Sequence, residues 1–263
     1  MWKQIRIVVV SVAIIATGES IVTQADARHQ PITMACSLPS ESMLGEPLVL
    51  ECTVENQSGD AVWVDFGWNR IGQFQLELQA SGSALQRARP SATGLGGVSS
   101  SGKVEVLPGA HYVQRLLLNE WLEWSRPGMY ALRVHFGGTI STSVGDVLEI
   151  VRDYALPFRL RPGVPGELSR VAESLLKKAT LSSAAQDRIE AARSLSFMRD
   201  PAALPCLRRL ALLRLWPGDA IAGIERVGTE EASRILTELS GSTDPDIASR
   251  AKASEARLKS RRK

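Results

Sequence analysis

The sequence contains few residues of the types that form metal sites and covalent catalytic centres. Among its 263 residues there are three cysteines and three histidines. Neither type occurs at the short spacings that hold zinc, because His29, His111 and His135 are far apart along the chain. A Gly-x-Ser-x-Gly nucleophile motif is also absent from the sequence. We therefore expect a protein without a metal, without a cofactor and without enzymatic activity.

Long apolar runs and a strong excess of one charge are lacking as well. The nearly apolar run at residues 7–17 is shorter than the roughly 18 residues that a membrane-spanning helix needs. The formal net charge is +3, and the average composition excludes collagen-like, coiled-coil and wholly disordered chains. The charge is uneven, since residues 250–263 contain seven Lys or Arg and one acid, Glu255. Residues 28–249 contain slightly more acidic than basic residues.

The first 27 residues have the order of a secretory signal peptide. Lys3 and Arg6 precede the apolar run, and residues 25–27 (Ala-Asp-Ala) form a cleavage site with small residues at its first and third positions. An uncleaved amphipathic first helix is the alternative. We expect residues 1–27 to be a signal peptide and the mature chain, beginning at Arg28, to be periplasmic or extracellular.

Apolar and polar residues alternate from residue 31 to residue 152. Leu48, Leu50, Cys52 and Val54 fall on one face of an extended chain, which is the pattern of a half-buried strand. Similar short runs recur between Gly, Pro and Asn turns, with no helical period between them. The pattern predicts an antiparallel β-sandwich over residues 28–152.

Two short motifs in this region resemble immunoglobulin-like domains. Residues 125–132 resemble the segment that forms the tyrosine corner, in which the Tyr130 hydroxyl would bond to the backbone upstream. An ordinary core tyrosine is the alternative. Residues 45–50 (Gly-Glu-Pro-Leu-Val-Leu) and the turn at residues 54–56 resemble accessory domains of bacterial exported proteins and the bacterial proteinase-inhibitor sandwich. The resemblance implies an immunoglobulin-like sandwich. It also implies an alternative function, proteinase inhibition through the Gly- and Ser-rich loop at residues 81–102.

Three tryptophans in the same region allow two interpretations. Trp121 and Trp124 are three residues apart, which suits a single helical turn that closes one end of the sandwich. Together with Trp63 they could instead stack on a sugar, which would make the protein a carbohydrate-active enzyme. We favour the structural role.

Two of the cysteines fall opposite each other if the first two strands form a hairpin. A strand at residues 32–38 that pairs with residues 48–54 around a turn near Leu44 places Cys36 directly opposite Cys52. Both face inward in a chain that we expect to be exported to an oxidising compartment. The sequence therefore predicts a Cys36–Cys52 disulfide, with two small buried apolar side chains as the alternative. Cys206 is expected to be a buried free thiol.

The pattern changes after residue 152. Residues 153–166 contain three Pro and two Gly and predict a stiff linker, after which the apolar period becomes 3.6 over residues 167–263. Asp200-Pro201 and Thr229 are typical of helix starts, and residues 183–186 match a capping box. About six helices are expected.

An internal repeat with an offset of 29 residues superposes Leu195 on Ile224 and Asp200 on Thr229. Here the chain resembles HEAT-like repeats of the phycobilisome-lyase type, in residues 191–207 and 220–232. The resemblance implies a short α-solenoid and no lyase chemistry, because the repeat is a scaffold. The expected fold is thus a multidomain β + α protein, an immunoglobulin-like antiparallel β-sandwich followed by a HEAT-like α-solenoid.

The function expected from this fold is that of an exported, non-enzymatic scaffold that binds a protein or peptide. We expect the partner to contact polar residues on the second helix of each pair: Arg208, Arg209, Arg234 and Glu238. The basic tail at residues 250–263 could complement a helix dipole and fray, or bind an anionic membrane or envelope surface. Nucleic acid is not expected, since the tail has no aromatic residue to stack on a base.

Overall fold

A computed structural model describes residues 32–67, 71–80, 85–88, 102–142, 145 and 147–261. The predicted signal peptide lies outside these residues. Two sheets occupy the first part of the described chain, residues 32–161, which we call the β half, and six helices occupy residues 165–261, the helical half. Within the described ranges, no helix has the length and apolarity required to cross a membrane.

The described ranges contain ten strands and six α-helices. The strands are β1 Ile32–Ser37, β2 Glu41–Met43, β3 Val49–Asn56, β4 Val62–Asp65, β5 Phe74–Ala80, β6 Gln86–Ala88, β7 Lys103–Val106, β8 His111–Leu117, β9 Gly128–Thr142 and β10 Val147–Arg161. The helices are α1 Pro165–Leu181, α2 Ala185–Ser196, α3 Leu204–Leu212, α4 Pro217–Val227, α5 Glu230–Ser240 and α6 Pro245–Arg261.

The strands form two sheets that share one core. One sheet has the order β1-β3-β8, and the other has the order β2-β10-β9-β4-β7, with β5 on β9 and β6 on β5. All of these pairs are antiparallel except β2 with β10, so the prediction of a purely antiparallel β half is wrong at that edge. After β1 the chain crosses to the second sheet, where β2 pairs with β10 in parallel. Phe66, Phe136 and Phe158 are among the fully buried residues of the common core.

The predicted disulfide is confirmed. Strands β1 and β3 pair in the expected register, with Cys36 opposite Cys52, and the two sulfurs are bonded. Both cysteines belong to the core of the β half. Cys206, on α3, is a buried free thiol as predicted, and burial raises the pKa of its thiol.

The predicted linker at residues 153–166 is mostly strand and helix. Strand β10 continues to Arg161 and α1 begins at Pro165, so residues 162–164 alone connect the two halves. Pro157 does not interrupt the β9–β10 ladder, because its backbone nitrogen faces away from β9. Arg159, two residues later on the strand, points the same way, and its N–H donates to the carbonyl of Ser40 (2.9 Å). The predicted linker therefore shortens to residues 162–164, because β10 extends to residue 161 and α1 starts at residue 165. The division into two domains stays a prediction.

The predicted loop at residues 81–102 is partly strand. Residues 86–88 form β6, which pairs with residues 76–78 of β5. Most of the remaining loop lies outside the described residues. Proteinase inhibition through this loop stays a prediction.

The helices pack as three antiparallel pairs, α1 with α2, α3 with α4 and α5 with α6. Asp200 and Thr229 cap the helical turns that they precede, accepting bonds from the N–H groups of Ala202 (2.9 Å) and Ala232 (3.2 Å). The sequence repeat thus superposes real helix starts. The capping box predicted at residues 183–186 is wrong, because the N-cap of α2 is Ala184, which has no side-chain acceptor.

Helices α2, α4 and α6 lie side by side and run in the same direction. A Cβ atom on Gly223 of α4 would lie only 2.9 Å from the Cα atom of Ser196 in α2, so glycine permits a close approach of the two backbones. Between α4 and α6, Arg250 lies beside Gly218 and Arg257 binds Glu225, seven residues further along each helix. The turns within the three helix pairs consequently lie at one end of the helical half.

Candidate functional site

The predicted partner-binding residues lie on α3 and α5, and two of the four pair with each other. Arg208 of α3 and Glu238 of α5 form an ion pair, with Nε of Arg208 3.1 Å from Oε2 of Glu238. The hydrogen bond from Arg208 lowers the pKa of Glu238. Arg234 pairs with Glu231 one turn earlier, while Arg209 is exposed.

In the sequence repeat these residues lie on the second helix of each unit, since α3 follows α2 and α5 follows α4, whereas the packing contacts pair the helices differently. Helices α3 and α5 are the first helices of the packed pairs α3/α4 and α5/α6. Their role in partner binding stays a prediction, but the Arg208–Glu238 pair would have to separate before either side chain could bind another protein.

A group of charged residues lies where the two halves meet, and we call it the junction. A short 3-10 helix at Leu118–Glu120 follows β8, and it directs Glu120 toward Arg193 of α2. Nη2 of Arg193 is 2.5 Å from Oε2 of Glu120, and Nε of Arg193 contacts Oε1. The Glu120 side chain is only 11% exposed. A nearly buried carboxylate of the β half thus depends on an arginine of the helical half.

Arg226 of α4 is the second cation of the junction. Its guanidinium lies 3.9 Å from the ring centroid of Phe197, and Nη1 donates a 2.9 Å hydrogen bond to the carbonyl of Ser196. Burial lowers the pKa of Arg226, whereas the nearby carboxylates Asp219 and Glu120 raise it. Burial raises the pKa of Glu120, and Arg193 opposes that shift.

Two exposed ion pairs surround the junction. Nη2 of Arg199 is 2.8 Å from Oε1 of Glu123, and Nη1 of Arg115 is 3.5 Å from Oε2 of Glu190. The hydrogen bond from Arg199 lowers the pKa of Glu123. Such exposed pairs contribute little stability each, so Glu120 and Arg193 dominate the contact.

The two halves also meet on the side of β2 and α1. The Met43 side chain is buried in the core of the helical half, and the N–H of Leu44 donates to the carbonyl of Arg161 (2.9 Å). Arg161, the last residue of β10, binds Glu167 in the first turn of α1, with Nη2 2.6 Å from Oε2. Contacts on both sides of the three-residue connection therefore hold the halves together.

One end of the helical half exposes a cluster of leucines. The turns within the pairs α1/α2 and α3/α4 carry Leu181 (73% exposed), Leu212 (48%), Leu213 (45%) and Leu215 (41%), which we call the turn edge. The turn between α5 and α6 adjoins it, since Nε of Arg214 is 3.0 Å from Oδ2 of Asp244. An exposed apolar cluster of this kind is typical of a surface that another molecule covers.

The backbone of the turn edge is strained. Arg214 and Trp216 have φ values of 57° and 60°, in the left-handed region that non-glycine residues rarely adopt. Trp216 packs against the core of the helical half, and Pro217 starts α4 immediately afterwards. These restraints hold Leu215 between two anchored residues. Sequence reasoning missed this site, although four apolar residues among residues 212–216 exceed what a helix face requires.

The basic tail is ordered as a helix to Arg261, and several of its cations are paired. Glu225, whose side chain is 7% exposed, binds both Arg257 and Arg261. Lys259 pairs with Glu255 one turn earlier. Helix α6 thus includes most of the tail, and the pairing reduces the charge available to an anionic surface. Fraying of the last few residues stays a prediction. Residues 262–263 lie outside the described part of the chain.

The aromatic residues that allowed a sugar-binding interpretation do not form one surface. Trp121 is buried, and Trp124 makes edge contacts with Tyr130 and Phe158 in the β half, as a structural plug would. Trp63 lies on β4 at the outer face of the larger sheet. The Tyr130 hydroxyl donates a 2.7 Å bond to the carbonyl of Arg126, which confirms the predicted tyrosine corner.

No group of three or more potential metal-ligating side chains occurs within the ranges that the structure describes. The junction contains carboxylates and guanidinium groups whose charges largely compensate one another. The junction therefore joins the two halves of the chain to each other, whereas the turn edge is exposed as a surface that contacts another molecule would be.

Comparisons with known proteins leave the family open. No protein-family model matches the chain, and no curated protein matches it either. Among solved structures, a β-glucosidase from Listeria innocua is 20% identical, with 50% of this chain and 16% of that chain covered and a TM-score of 0.25. The chain thus spans about a sixth of that enzyme's length.

Two smaller proteins are similar over nearly their whole length. The PapD-like domain 7 of human CEP192 is 9% identical (56% of this chain, 99% of that chain, TM-score 0.31). The ApaA protein from Bordetella pertussis is 12% identical (48% of this chain, 93% of that chain, TM-score 0.29). At these scores none of the similarities establishes a common function.

Proposed function

We propose that the chain is an exported binding protein whose helical half holds a partner protein. In this proposal the β half is an immunoglobulin-like sandwich and the helical half is a short HEAT-like solenoid. The two sheets around one core and the tyrosine corner support the first assignment. The three helix pairs, with caps at repeat-related positions, support the second. The disulfide is compatible with export.

The observation that carries the binding function is the exposed turn edge. Water contacts several leucines there, which is unfavourable unless another molecule covers them. A protein partner suits the site because Arg214 lies between Leu213 and Leu215 in the chain, and arginine is enriched in the centres of protein interfaces. The partner surface therefore differs from the arginines of α3 that the sequence indicated.

The junction supports this function by fixing the position of the turn edge. Because Glu120 and Arg193 bind the β half to α2, the helices are held at a defined orientation relative to the sheets. A preorganised surface loses less conformational freedom on binding than a mobile one does, and it binds more tightly as a result. We propose that the β half acts as the support of the binding surface.

Replacing Leu213 and Leu215 together with serine is expected to reduce partner binding about tenfold or more, because the partner would lose apolar contact area at the centre of the interface. The experiment compares quantitative capture from an envelope extract by immobilised mature chain and by the variant. Leu107→Ser is the matched control, since Leu107 is as exposed but lies in the β half. Equal capture by the wild-type chain and the double variant would contradict the proposal.

A further inference from the structure

The longest open strand edge of the β half belongs to β10. Strand β9 pairs with one edge of β10 from Val147 to Leu160, whereas β2 pairs with the other edge only at residues 159–161. Over residues 147–158, no strand in the described part of the chain pairs with this second edge, although the Tyr154 hydroxyl donates a 2.6 Å hydrogen bond to the carbonyl of Met34 on β1. An uncovered edge presents unpaired backbone groups, which form a template for another strand.

The hydrogen bonds of Arg159 and Arg161 identify which residues of β10 direct their backbone N–H and C=O groups toward the open edge. Arg159 and Arg161 direct their backbone groups away from β9, toward the carbonyl of Ser40 and the N–H of Leu44. Side-by-side strands alternate these directions residue by residue, so the other odd-numbered residues point the same way. The open groups therefore belong to Val147, Glu149, Val151, Asp153 and Ala155.

Two features determine where the open edge ends and which of its backbone groups already accepts a hydrogen bond. Pro157 has no N–H, so the run of outward donors ends at Ala155. The guanidinium Nη1 of Arg152 donates a 2.8 Å hydrogen bond to the carbonyl of Val151. An outward carbonyl in the middle of the edge thus already accepts a donor from a flexible side chain, which an added strand could replace.

The side chains along the open edge alternate between apolar and acidic. Val147 and Val151 are 64% and 50% exposed, and the carboxylates of Glu149 and Asp153 are exposed on the same face. Two residues of β9 beside this face can carry a positive charge: His135, whose Nδ1 is 2.8 Å from Oδ1 of Asp153, and Arg133, which lies opposite Ala155. An occupant that complements this face has an apolar residue opposite Val151 and a basic residue on each side of it.

We infer that the open edge of β10 binds an extended segment of a partner protein by antiparallel strand addition, and that this segment carries the pattern basic-x-apolar-x-basic. Backbone hydrogen bonds to Glu149, Val151 and Asp153 provide the affinity, and the alternating side chains provide the selectivity. This site is separate from the turn edge and does not depend on it.

Charge disfavours a second copy of the chain as the occupant. Antiparallel pairing of two β10 strands centred on Val151 would place Glu149 of one copy opposite Asp153 of the other. Like charges directly opposite each other destabilise an antiparallel pair. A basic segment instead forms two favourable cross-strand pairs with the same two carboxylates.

The test uses the mature chain and a fluorescently labelled peptide, Thr-Lys-Thr-Val-Thr-Lys-Thr, in an anisotropy titration. We expect saturable binding of this peptide and about tenfold or more weaker binding of the peptide in which Glu replaces both Lys residues. N-methylation of the central Val of the peptide should abolish binding, because its N–H would face the protein. N-methylation of a neighbouring Thr should change binding little.

Charge reversal on the protein gives a second measurement. The double variant Glu149→Lys, Asp153→Lys should bind the Lys peptide about tenfold more weakly and the Glu peptide more tightly than the wild-type chain does. Glu105→Lys is the matched control, because Glu105 is an exposed acid on β7 of the same sheet. Circular dichroism checks that each variant is folded.

Three results would overturn the inference. The first is no saturable binding of the Lys peptide at about 1 mM, the weak end of measurable affinity. The second is equal loss of binding on methylation of Val and of Thr. The third is a wild-type dimer in sedimentation that Val151→Pro dissociates, which would assign the edge to self-association.

Discussion

Replacing Cys36 and Cys52 together with alanine is expected to lower the free energy of unfolding by about 3 kcal/mol, the chain-entropy value for a short closed loop. The disulfide closes a loop with a sequence separation of 16 and ties β1 to β3. Strand β1 is an edge strand whose ladder partner is β3, so the bond secures the least supported strand of the smaller sheet. Urea unfolding followed by tryptophan fluorescence measures the change.

Reductant provides the control for the disulfide. Dithiothreitol should destabilise the wild-type chain by a similar amount and leave the double variant unchanged. Cys206→Ala should not alter the response to reductant, because Cys206 is a free thiol in the helical half. Wild-type stability that is the same with and without reductant would show that the bond contributes nothing.

Features set by short-range sequence patterns were predictable. The alternation around Cys52 and the turn near Leu44 determined the register of β1 with β3, and therefore the disulfide. Asp200 and Thr229 were recognisable as caps because a side-chain acceptor at a helix start bonds to an N–H two or three residues later. In each case the residues that determine the structure are close in sequence, although the segment between β1 and β3 also contains β2 of the other sheet.

The boundary between the halves was not predictable from composition. Three Pro and two Gly indicated a linker, but the effect of a proline depends on which strand edge it faces. Pro157 faces the open edge of β10 and leaves the ladder with β9 intact. Which edge of a strand is open depends on the arrangement of the whole sheet. The residues next to Pro157 in the sequence do not show it.

The charged contacts required long-range information. Glu120 and Arg193 are 73 residues apart, and Arg208 and Glu238 are 30 residues apart. The repeat pattern predicted that α3 and α5 are equivalent, but both sides of the helical half carry polar residues. The pattern could not indicate which arginines would meet a carboxylate of this chain and which would face solvent. The turn edge was missed because apolar residues at a helix end do not show by themselves whether another element covers them.

Replacing Arg193 with alanine is expected to lower the free energy of unfolding by about 2 kcal/mol, less than the range for a fully buried pair because Arg193 is 39% exposed. The loss follows from leaving the nearly buried carboxylate of Glu120 without its cation. Arg199→Ala is the control. Its partner Glu123 is 75% exposed, and we expect a loss of about 0.5 kcal/mol or less. Similar losses for the two variants would contradict a dominant role for Glu120 and Arg193.

The pH dependence of stability distinguishes Glu120 from the exposed acids around it. Burial raises the pKa of Glu120 above its ordinary value of 4.5, although Arg193 opposes the shift. The folded chain then binds this proton more tightly than the unfolded chain does, so Glu120 makes folding more favourable as the pH falls from neutral toward 4.5. Arginine bonds lower the pKa of Glu123 and Glu167, so their contribution is present above 4.5 and is lost at lower pH.

Glu120→Gln should therefore flatten the increase in stability between neutral pH and pH 4.5 and preserve the decrease at lower pH. Asp219, whose pKa burial also raises although part of its side chain is exposed, leaves a residual slope that extends to lower pH, because its ordinary pKa is 3.8. Arg193→Ala should steepen the increase, since removal of the opposing cation raises the pKa of Glu120 further. Urea midpoints measured across this pH range test both variants. If the glutamine variant keeps the wild-type slope above pH 4.5, Glu120 is not the group that couples protons to the contact between the halves.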